Sequence, residues 1–278
     1  MVEEYLAARR ALVESYLGAY LERRAEGLPE TLYEAILYAL EGGKRLRPIL
    51  VLAAAEALGR GAEEVLPTAA AVELFHTYSL IHDDLPALDD ADLRREQLTV
   101  HRVFGEAAAL LAGDALIPLG FELITAEQVK LSPPERVLRA IELVSAALGP
   151  AGMVGGQLLE LEEALADETI LEEIYLKKTA APLGAAAAAG GVLAGGEEDQ
   201  VLALHRFGLS LGLAYQLIDD LLDLEEDEGP TYARLVGARG ARAEAERLTA
   251  EALEALGPLG AGAAKLRALG GWLLARSS

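Results

Sequence analysis

The chain has 278 residues, of which 52% are hydrophobic, so it carries enough apolar material for a sizeable core and is not a disordered protein. Its formal net charge of -21 disfavours a nucleic-acid partner over most of the surface. The lack of cysteine excludes disulfides and a thiol nucleophile, and it is compatible with the cytoplasmic location that we expect.

Helical spacing runs through most of the chain. The first segment, MVEEYLAARRALVESYLGAY, mixes acidic and basic residues at this spacing, unlike a secretory signal. Ala and Leu dominate, and apolar residues recur three and four positions apart, which predicts an all-α protein without a strand pair. Gly and Pro divide it into about ten helices, and no linker is evident. We therefore predict one domain, residues 1–278, that forms a single large helical bundle around a central cavity.

The motif GGKRLRP at 42–48 is the first candidate site. Its glycine pair is typical of a helix end, and its proline suits the first turn of the next helix. Lys44, Arg45 and Arg47 then surround the junction and could bind an anion. Cations are also common at helix C-termini, so a simple basic cap is an equally good interpretation of these residues alone.

The second candidate site is the acidic segment HDDLPALDDADLRR at 82–95. Pro86 cannot lie inside a helix, so the helix over 72–82 should end at about Asp83. Asp83 and Asp84 would then stand at an electronegative helix terminus, with Asp89 returning from the following loop. Three carboxylates in such a place favour a divalent cation. Hard oxygen ligands without cysteine or a histidine pair indicate Mg²⁺, which proteins commonly share with substrate phosphates.

Several basic residues near these motifs have two interpretations each. Arg94 and Arg95 could bind a diphosphate or merely neutralise the neighbouring aspartates. His76 lies two turns before Asp83, where a histidine is more often a core residue than a ligand. Lys177 and Lys178 are expected at the start of the Ala-rich stretch Thr179 to Gly196, where they form a phosphate site or a surface pair. That stretch is too short and too weakly apolar to span a bilayer, so we predict a buried helix and no integral membrane segment.

The third candidate site is YQLIDDLLDLEEDE at 215–228. On a helix, Asp219 and Asp223 share one face, with Gln216 a turn earlier on nearly the same stripe. Asp220 points about 100° away and is expected to support the others. The alternative is a solvated acidic helix end, but the leucines and isoleucine that surround these aspartates favour a cation site beside the core.

Taken together, these motifs resemble the trans-isoprenyl diphosphate synthases, especially the short-chain bacterial farnesyl and geranylgeranyl diphosphate synthases. The resemblance runs over nearly the whole chain. It is carried by GGKRLRP at 42–48, HTYSLIHDDLPALDDADLRR at 76–95, TVHRVFGEAAALLAGDAL at 99–116, MVGGQLLEL at 153–161, KKT at 177–179 and YQLIDDLLD at 215–223.

The resemblance implies a role for each matching residue. Residues that would hold Mg²⁺ on the allylic diphosphate are Asp83, Asp89, Asp219 and Asp223. Carboxylates that would support them are Asp84 and Asp220. Residues that would contact the allylic diphosphate are Arg94, Lys178 and Gln216, with Thr179 beside the growing chain. Residues that would bind isopentenyl diphosphate are Lys44, Arg47, His76 and Arg95.

The resemblance also implies the reaction. An allylic diphosphate ionises, isopentenyl diphosphate attacks the carbocation, and proton loss gives a product five carbons longer. Tyr78, five positions before Asp83, would floor the cavity and stop growth at C15, which makes farnesyl diphosphate the predicted product. Geranylgeranyl diphosphate is the alternative product. The family further implies a homodimer, and its second diphosphate site argues against a class I terpene cyclase.

The chain departs from the family pattern in two places. Glu96 and Leu98 stand where the family usually has Gly and Pro after the arginine pair. The loop after the second aspartate motif is shortened to LEEDEGPTY, and Gly229 replaces a lysine that normally helps to hold the allylic diphosphate. An impaired or regulatory paralogue that binds prenyl diphosphates is therefore the alternative of a different class.

Overall fold

The computed structural model of the protein describes residues 2–162, 167–222, 224 and 231–275. The helices of the first half are α1 (Val2–Glu22), α2 (Glu30–Ala39), α3 (Leu46–Ala57), α4 (Leu66–Asp83), α5 (Val100–Phe104), α6 (Glu106–Glu122) and α7 (Pro134–Leu148). Those of the second half are α8 (Met153–Glu162), α9 (Glu168–Tyr175), α10 (Ala181–Ala194), α11 (Glu198–Leu222), α12 (Tyr232–Val236), α13 (Ala238–Ala255) and α14 (Ala264–Ala275). The all-α prediction is confirmed.

The Ala-rich helix α10 lies at the centre of the bundle. It packs against α3, α7 and α11, and nearly all of its residues are buried. Its Ala186 and Leu193 join the core formed by the first half of the chain, whereas Leu183 and Ala187 join the core formed with α11, α13 and α14. Small side chains on every face let the neighbouring helices approach closely. The prediction of a buried helix over 179–196 is therefore confirmed.

The described residues contain fourteen α-helices, more than the roughly ten predicted. Part of the difference arises because two short helices, α5 and α12, are cut from their successors at single glycines. Gly105 and Gly237 have φ of 85° and 77°, in the left-handed region that glycine adopts without steric cost. An isolated glycine in a helical pattern is normally tolerated, and for this reason sequence analysis did not mark these two as helix ends.

A small hairpin contradicts the prediction that the chain lacks a strand pair. The strands β1 (Leu93–Arg94) and β2 (Gln97–Leu98) pair antiparallel. Arg95 and Glu96 form the two-residue turn between them, with φ of 55° and 65°. Two consecutive positive φ angles are typical of a type I′ turn, which normally selects Asn and Gly. Because Arg and Glu are unusual there, the sequence carried no hairpin signal.

Replacing Glu96 by glycine is expected to stabilise the protein by about 0.5 kcal/mol, because glycine relieves the left-handed strain but loses more entropy on folding. Thermal unfolding of Glu96→Gly and of a control, Gln97→Gly, checks the prediction. Gln97 lies in β2 at ordinary φ, so Gln97→Gly should be less stable than the wild type. A Glu96→Gly variant that is also less stable than the wild type would contradict the proposed backbone strain at Glu96.

The lysine pair before α10 lies at a different kind of position from the one predicted. Residues Leu176–Ala180 form a π-helical turn that joins α9 to α10 without a break. Lys177 and Lys178 are therefore in the interior of a helical segment, and the prediction that they open a helix is wrong. π-Helical turns add one residue to a helix and often occur at functional sites.

Three helical stretches within the described residues are long and apolar enough to cross a membrane, by length and composition only. They are Glu106–Lys130, Pro134–Glu162 and Glu198–Leu222. Sequence analysis had weighed only the stretch at 179–196. The expectation of no integral membrane segment stays a prediction, as does the single domain over residues 1–278.

A buried carboxylate ties α1 and α14 to α3. Glu56 accepts hydrogen bonds from the Tyr5 hydroxyl and from Lys265, both at 2.8 Å, and lies 2.5 Å from the Arg9 guanidinium. Its side chain is only 9% exposed. Burial raises the pKa of the Glu56 carboxyl, but the hydrogen bonds from Lys265 and Tyr5 and the charge of Arg9 outweigh burial and lower it. The ionised carboxylate therefore stabilises the fold.

Replacing Glu56 by glutamine is expected to cost about 1.5 kcal/mol of unfolding free energy at pH 7, because three donors lose a charged acceptor. The pKa of Glu56 is lower in the folded protein than in the unfolded one, so its contribution to stability is fully present above the unfolded-state pKa. The contribution is lost as pH falls through the folded-state pKa. Urea unfolding of Glu56→Gln at pH 7 and below pH 4 checks the prediction, with the exposed Glu63→Gln as the control. An equal loss at both pH values would contradict the ionic origin.

Candidate active site

The first aspartate motif is built by the end of α4. The helix ends at Asp83, as Pro86 predicts, and Asp84 is its C-cap. The loop then folds back, because the Asp89 amide donates a 2.9 Å hydrogen bond to the Asp83 carbonyl oxygen. Asp89 thus returns to the helix end as expected, with its side chain exposed.

The carboxyl group of Asp83 lies in an electrostatic setting that suits a cation. Burial, followed by the negative charges of Asp89 and Glu160, raises its pKa to about 6, although Lys178 and Arg94 act in the opposite direction. A divalent cation beside Asp83 would instead stabilise the ionised carboxylate. The hard oxygen donors therefore fit Mg²⁺ in chemistry. Among the residues that the structure describes, no three candidate ligands are already grouped as a metal site.

Arg94 is occupied by the neighbouring carboxylate. Its Nε and Nη2 both donate to Asp84 Oδ1, at 2.9 and 2.6 Å. Asp84 is buried, with its side chain 5% exposed, whereas that of Arg94 is 38% exposed. The supporting role predicted for Asp84 takes this form: the carboxylate orients a guanidinium that keeps Nη1 for another partner.

Two turns before Asp83 on α4, His76 forms a close pair with Arg47. Arg47 Nη1 lies 3.1 Å from His76 Nε2. Burial, and then the charges of Arg47 and three further arginines, lower the pKa of the His76 imidazole well below its usual value. Because a guanidinium can only donate, the neutral imidazole accepts at Nε2 and carries its proton on Nδ1. His76 therefore has an N–H donor to offer on its other edge.

The GGKRLRP loop divides its cations between structure and surface. Arg45 is buried and pairs with the fully buried Glu73, Nη1 to Oε1 at 2.6 Å, and it also donates to the Leu40 carbonyl. Lys44 instead is exposed and donates to the Tyr215 hydroxyl at 3.2 Å. Of the two interpretations left open for these cations, the anion site does not apply to Arg45, because its charge is taken up by Glu73 and it donates to the carbonyl at the end of the α2 segment.

Arg95 connects the hairpin with this loop. Its Nη1 donates to the Glu41 carbonyl at 3.1 Å, beside the glycine pair that ends the α2 segment. Arg94 and Arg95 border the same small crevice, of about 40 Å³, together with Tyr38 and Thr77. The two arginines therefore reach different partners, Asp84 and Glu41, on either side of one gap.

The π-helical turn directs its polar residues to two neighbours. Lys178 forms an ion pair with Glu160 of α8. The Thr179 hydroxyl donates to Gln216 Oε1 of α11 at 3.0 Å. Lys178 and Thr179 thereby join α8 and α11 to the edge of the cavity.

In the second aspartate motif, Gln216 and Asp219 lie on α11 as predicted, and Asp219 contributes to the electrostatic field at Arg47. Asp220 is turned away and buried, where it accepts hydrogen bonds from Gln216 at 3.2 Å and from the Tyr175 hydroxyl at 2.6 Å. Its predicted supporting position agrees with this arrangement. Asp223 and Gly229, which carry a predicted metal ligand and a departure from the family, lie outside the described residues.

One cavity of about 470 Å³ brings many of the predicted residues together. The predicted polar site residues that line it are Arg47, His76, Asp83, Lys178 and Thr179, and further polar residues of its lining are Ser79, His82 and Gln157. Its apolar lining comes from Tyr78 and from α8, including Met153, Val154, Leu158 and Leu161. Cations and a carboxylate thus share a chamber with a hydrocarbon surface. The lining does not include the described site residues Lys44, Asp84, Asp89, Arg94, Arg95, Gln216, Asp219 and Asp220.

Sequence analysis assigned no role to several residues that the structure brings into the site. They are Glu73, Glu160, Tyr175 and Tyr215. Glu160 belonged to a quoted motif, MVGGQLLEL, but a carboxylate on an amphipathic helix carries no local sign of its partner. Each of these contacts joins residues at least 18 positions apart, so only the tertiary fold reveals them.

Comparison with known proteins agrees with this arrangement. Residues 29–232 match the polyprenyl synthetase family. A dimethylallyltranstransferase from Fischerella ambigua is 42% identical over an alignment of 292 positions, which covers 99% of this chain and 83% of the relative. A farnesyl diphosphate synthase from Geobacillus stearothermophilus is 46% identical over 230 residues, which cover 82% and 77%.

A solved structure extends the similarity to the whole fold. An FPP/GFPP synthase from Zymomonas mobilis superposes with a TM-score of 0.90 at 34% identity, over 98% of this chain and 100% of that one. The resemblance expected from the motifs is therefore confirmed. The chain belongs to the polyprenyl synthetase family and, within it, to the short-chain trans-isoprenyl diphosphate synthases, which are prenyltransferases.

Proposed function

We propose that the protein condenses isopentenyl diphosphate with an allylic prenyl diphosphate, head to tail, in a Mg²⁺-dependent reaction that yields mainly C15 farnesyl diphosphate. The observation that carries the proposal is the cavity of about 470 Å³, whose lining combines Lys178 and Asp83 with the apolar side chains of α8. A diphosphate and its hydrocarbon tail require these two surfaces next to each other.

Mg²⁺ would be held by the carboxylates of the two aspartate motifs, namely Asp83, Asp89, Asp219 and Asp223. When bound, it would supply charge stabilisation to the departing diphosphate. Lys178 is placed to donate to the same anion once it exchanges Glu160 for phosphate oxygens. Arg94 keeps Nη1 available beside Asp84, and Gln216 and Thr179 complete the allylic site.

Isopentenyl diphosphate would be bound by Lys44, Arg47, His76 and Arg95. The neutral imidazole of His76 accepts from Arg47 and can donate from Nδ1, so it contributes a hydrogen bond without adding charge. A second diphosphate site of this kind distinguishes a synthase from a terpene cyclase, which uses only one diphosphate substrate.

Catalysis then depends on charge stabilisation and on exclusion of water. The cationic side chains stabilise the leaving diphosphate, so the allylic C–O bond ionises to a delocalised carbocation. The alkene of isopentenyl diphosphate attacks that cation, and proton loss to the released diphosphate restores neutrality. Leu158, Leu161 and Tyr78 line the chamber in which the cation forms and keep water from quenching it.

The test is an incubation of purified protein with isopentenyl diphosphate, Mg²⁺ and each of dimethylallyl, geranyl and farnesyl diphosphate, followed by product mass. We expect a C15 product that is lost with EDTA. A C20 product would replace the farnesyl assignment with the geranylgeranyl one. Diphosphate binding without turnover would favour the regulatory paralogue, for which Gly229 in the shortened loop is the argument.

The remaining properties that we propose are a cytoplasmic location and a homodimer, without a nucleic-acid partner or membrane insertion. The net charge of -21 supports the lack of a nucleic-acid partner. Sedimentation at low ionic strength and without detergent tests the homodimer and the lack of membrane insertion together. A soluble particle with the mass of two chains is expected, whereas a monomer or a detergent requirement would contradict the proposal.

A further inference from the structure

A chain of hydrogen bonds runs from the wall of the cavity to the start of α12. The Thr179 hydroxyl donates to Gln216 Oε1 at 3.0 Å, and Gln216 Nε2 donates to Asp220 Oδ1 at 3.2 Å. The Tyr175 hydroxyl donates to Asp220 Oδ2 at 2.6 Å. The Tyr232 amide then donates to the Tyr175 oxygen at 3.3 Å. Four elements, namely α9, the π-helical turn, α11 and α12, are connected in this way.

Each bond in the chain has a defined direction, because the carboxylate of Asp220 can only accept. Both of its oxygens are used, one by Gln216 and one by Tyr175, so the carboxylate is fixed in rotation. The Gln216 amide must then turn its nitrogen to Asp220 and its oxygen to Thr179. Tyr175 and Asp220 are 8% and 6% exposed, so water does not readily replace either partner.

The Tyr175 hydroxyl makes two hydrogen bonds at once, although the Asp220 carboxylate also interacts with the Tyr232 amide. The hydroxyl donates to Asp220 and accepts from the backbone of Tyr232, the first residue of α12. Tyr175 is also the last residue of α9, directly before the π-helical turn that carries Lys178 and Thr179. Burial and the hydrogen bond to Asp220 raise the pKa of the hydroxyl, so it stays protonated and continues to donate.

Tyr175 does not line the cavity itself. Its ring borders a separate surface cleft with Glu172 and Leu217, so any effect on the reaction must pass through the residues that it holds. We propose that Tyr175 is a positioning residue for the allylic diphosphate site: it fixes Asp220, and through Asp220 the amide of Gln216 and the hydroxyl of Thr179, while it holds α12 against α9. This inference rests on the proposed function, which makes Gln216 and Thr179 substrate contacts.

The variant Tyr175→Phe removes the hydroxyl and keeps the ring. Two buried hydrogen bonds are lost, so we expect the KM for geranyl diphosphate to rise about 10-fold while the KM for isopentenyl diphosphate stays unchanged. Calorimetric binding of geranyl diphosphate, measured without turnover, should weaken by the same factor. A purely structural defect would instead raise both KM values or lower the amount of folded enzyme.

Amide hydrogen exchange gives a readout that needs neither metal nor substrate. Exchange at the Tyr232 amide should accelerate by about 10-fold in Tyr175→Phe, because this amide loses its hydroxyl acceptor and the Asp220 carboxylate beside it loses the bond that fixes its position. The matched control is Tyr5→Phe, which removes another hydroxyl that donates to a buried carboxylate, that of Glu56. This control should lower stability but leave both the Tyr232 exchange and the KM for geranyl diphosphate at wild-type values.

A double-mutant cycle tests whether Tyr175 acts through Asp220. The variant Asp220→Asn alone should weaken geranyl diphosphate binding, and adding Tyr175→Phe should weaken it little further. Wild-type binding and wild-type Tyr232 exchange in Tyr175→Phe would overturn the inference, as would full additivity in the cycle. A wild-type protein without turnover would contradict the proposed function, but the exchange and binding measurements would still decide this inference.

Discussion

Replacing Asp83 by asparagine is expected to lower kcat by about 10³-fold, because the variant keeps the shape of the side chain and loses the charge that would hold Mg²⁺ at the cavity. Asp83 terminates α4, and the loop that carries Asp89 folds back onto its carbonyl group. The reacting diphosphate would lose part of its counterion at the moment when negative charge builds. Steady-state kinetics with saturating Mg²⁺ and both substrates checks the prediction.

The same substitution is expected to stabilise the protein when metal and substrates are absent. The pKa of Asp83 is raised to about 6 in the folded state, from a model-peptide value of 3.8. A group with a raised acidic pKa costs stability once it ionises, so the wild type loses stability as pH rises through this window. At pH 8 in EDTA, Asp83→Asn should therefore be about 1 kcal/mol more stable than the wild type, and near pH 3 this difference should vanish.

A matched control separates the site from general effects of charge. Asp199 lies in the first turn of α11 on an exposed surface, and Asp199→Asn removes the same charge there. We expect its kcat to equal that of the wild type. A near-normal kcat in Asp83→Asn would remove this residue from the reaction, and lower stability at pH 8 would contradict the electrostatic cost.

Replacing Tyr78 by alanine is expected to move the main product from C15 to C20 and longer chains. Tyr78 is 9% exposed, lines the cavity and packs edge-on against His82 with 5.8 Å between the ring centres. Removing the ring opens space for at least one more isoprene unit at that wall. Product chromatography with geranyl diphosphate as primer, supported by mass, gives the distribution directly.

The conservative variant Tyr78→Phe is the control, because it keeps the volume of the ring and removes only the hydroxyl. It should retain the wild-type product. Truncation of a buried aromatic residue costs about 3 kcal/mol, so the melting temperature of Tyr78→Ala must be measured before its products are compared. A folded Tyr78→Ala that still stops at the wild-type length would show that another residue sets the limit.

Local chemistry made several parts of the site predictable. Pro86 cannot continue a helix, so the end of α4 at Asp83 followed from the sequence. The helical period set Asp220 about 100° away from Asp219, although Gln216, predicted near the stripe of Asp219, donates to Asp220. The glycine pair before Lys44 likewise marked a helix junction. Each of these predictions needed only neighbours within one or two turns.

Features that depend on distant partners could not be predicted. The pairing of Arg45 with Glu73 spans 28 positions, and nothing in GGKRLRP distinguishes this arginine from Arg47. The hairpin turn at Arg95 and Glu96 uses residues that normally avoid positive φ, so propensity argued against it. The π-helical turn at Leu176–Ala180 contains neither Gly nor Pro, so no residue in it marks a departure from regular α-helix.

The π-helical turn at Leu176–Ala180 also constrains how the chain can change in length. Such a turn holds one residue more than an α-helical turn, so it behaves as a single-residue insertion accommodated inside one long helix. Deleting one residue there would restore regular α-helix but rotate everything on one side by about 100° relative to the other. Either Tyr175 would leave Asp220 or Lys178 would leave the cavity. The segment can therefore exchange side chains, whereas its length is bound to the geometry of the site.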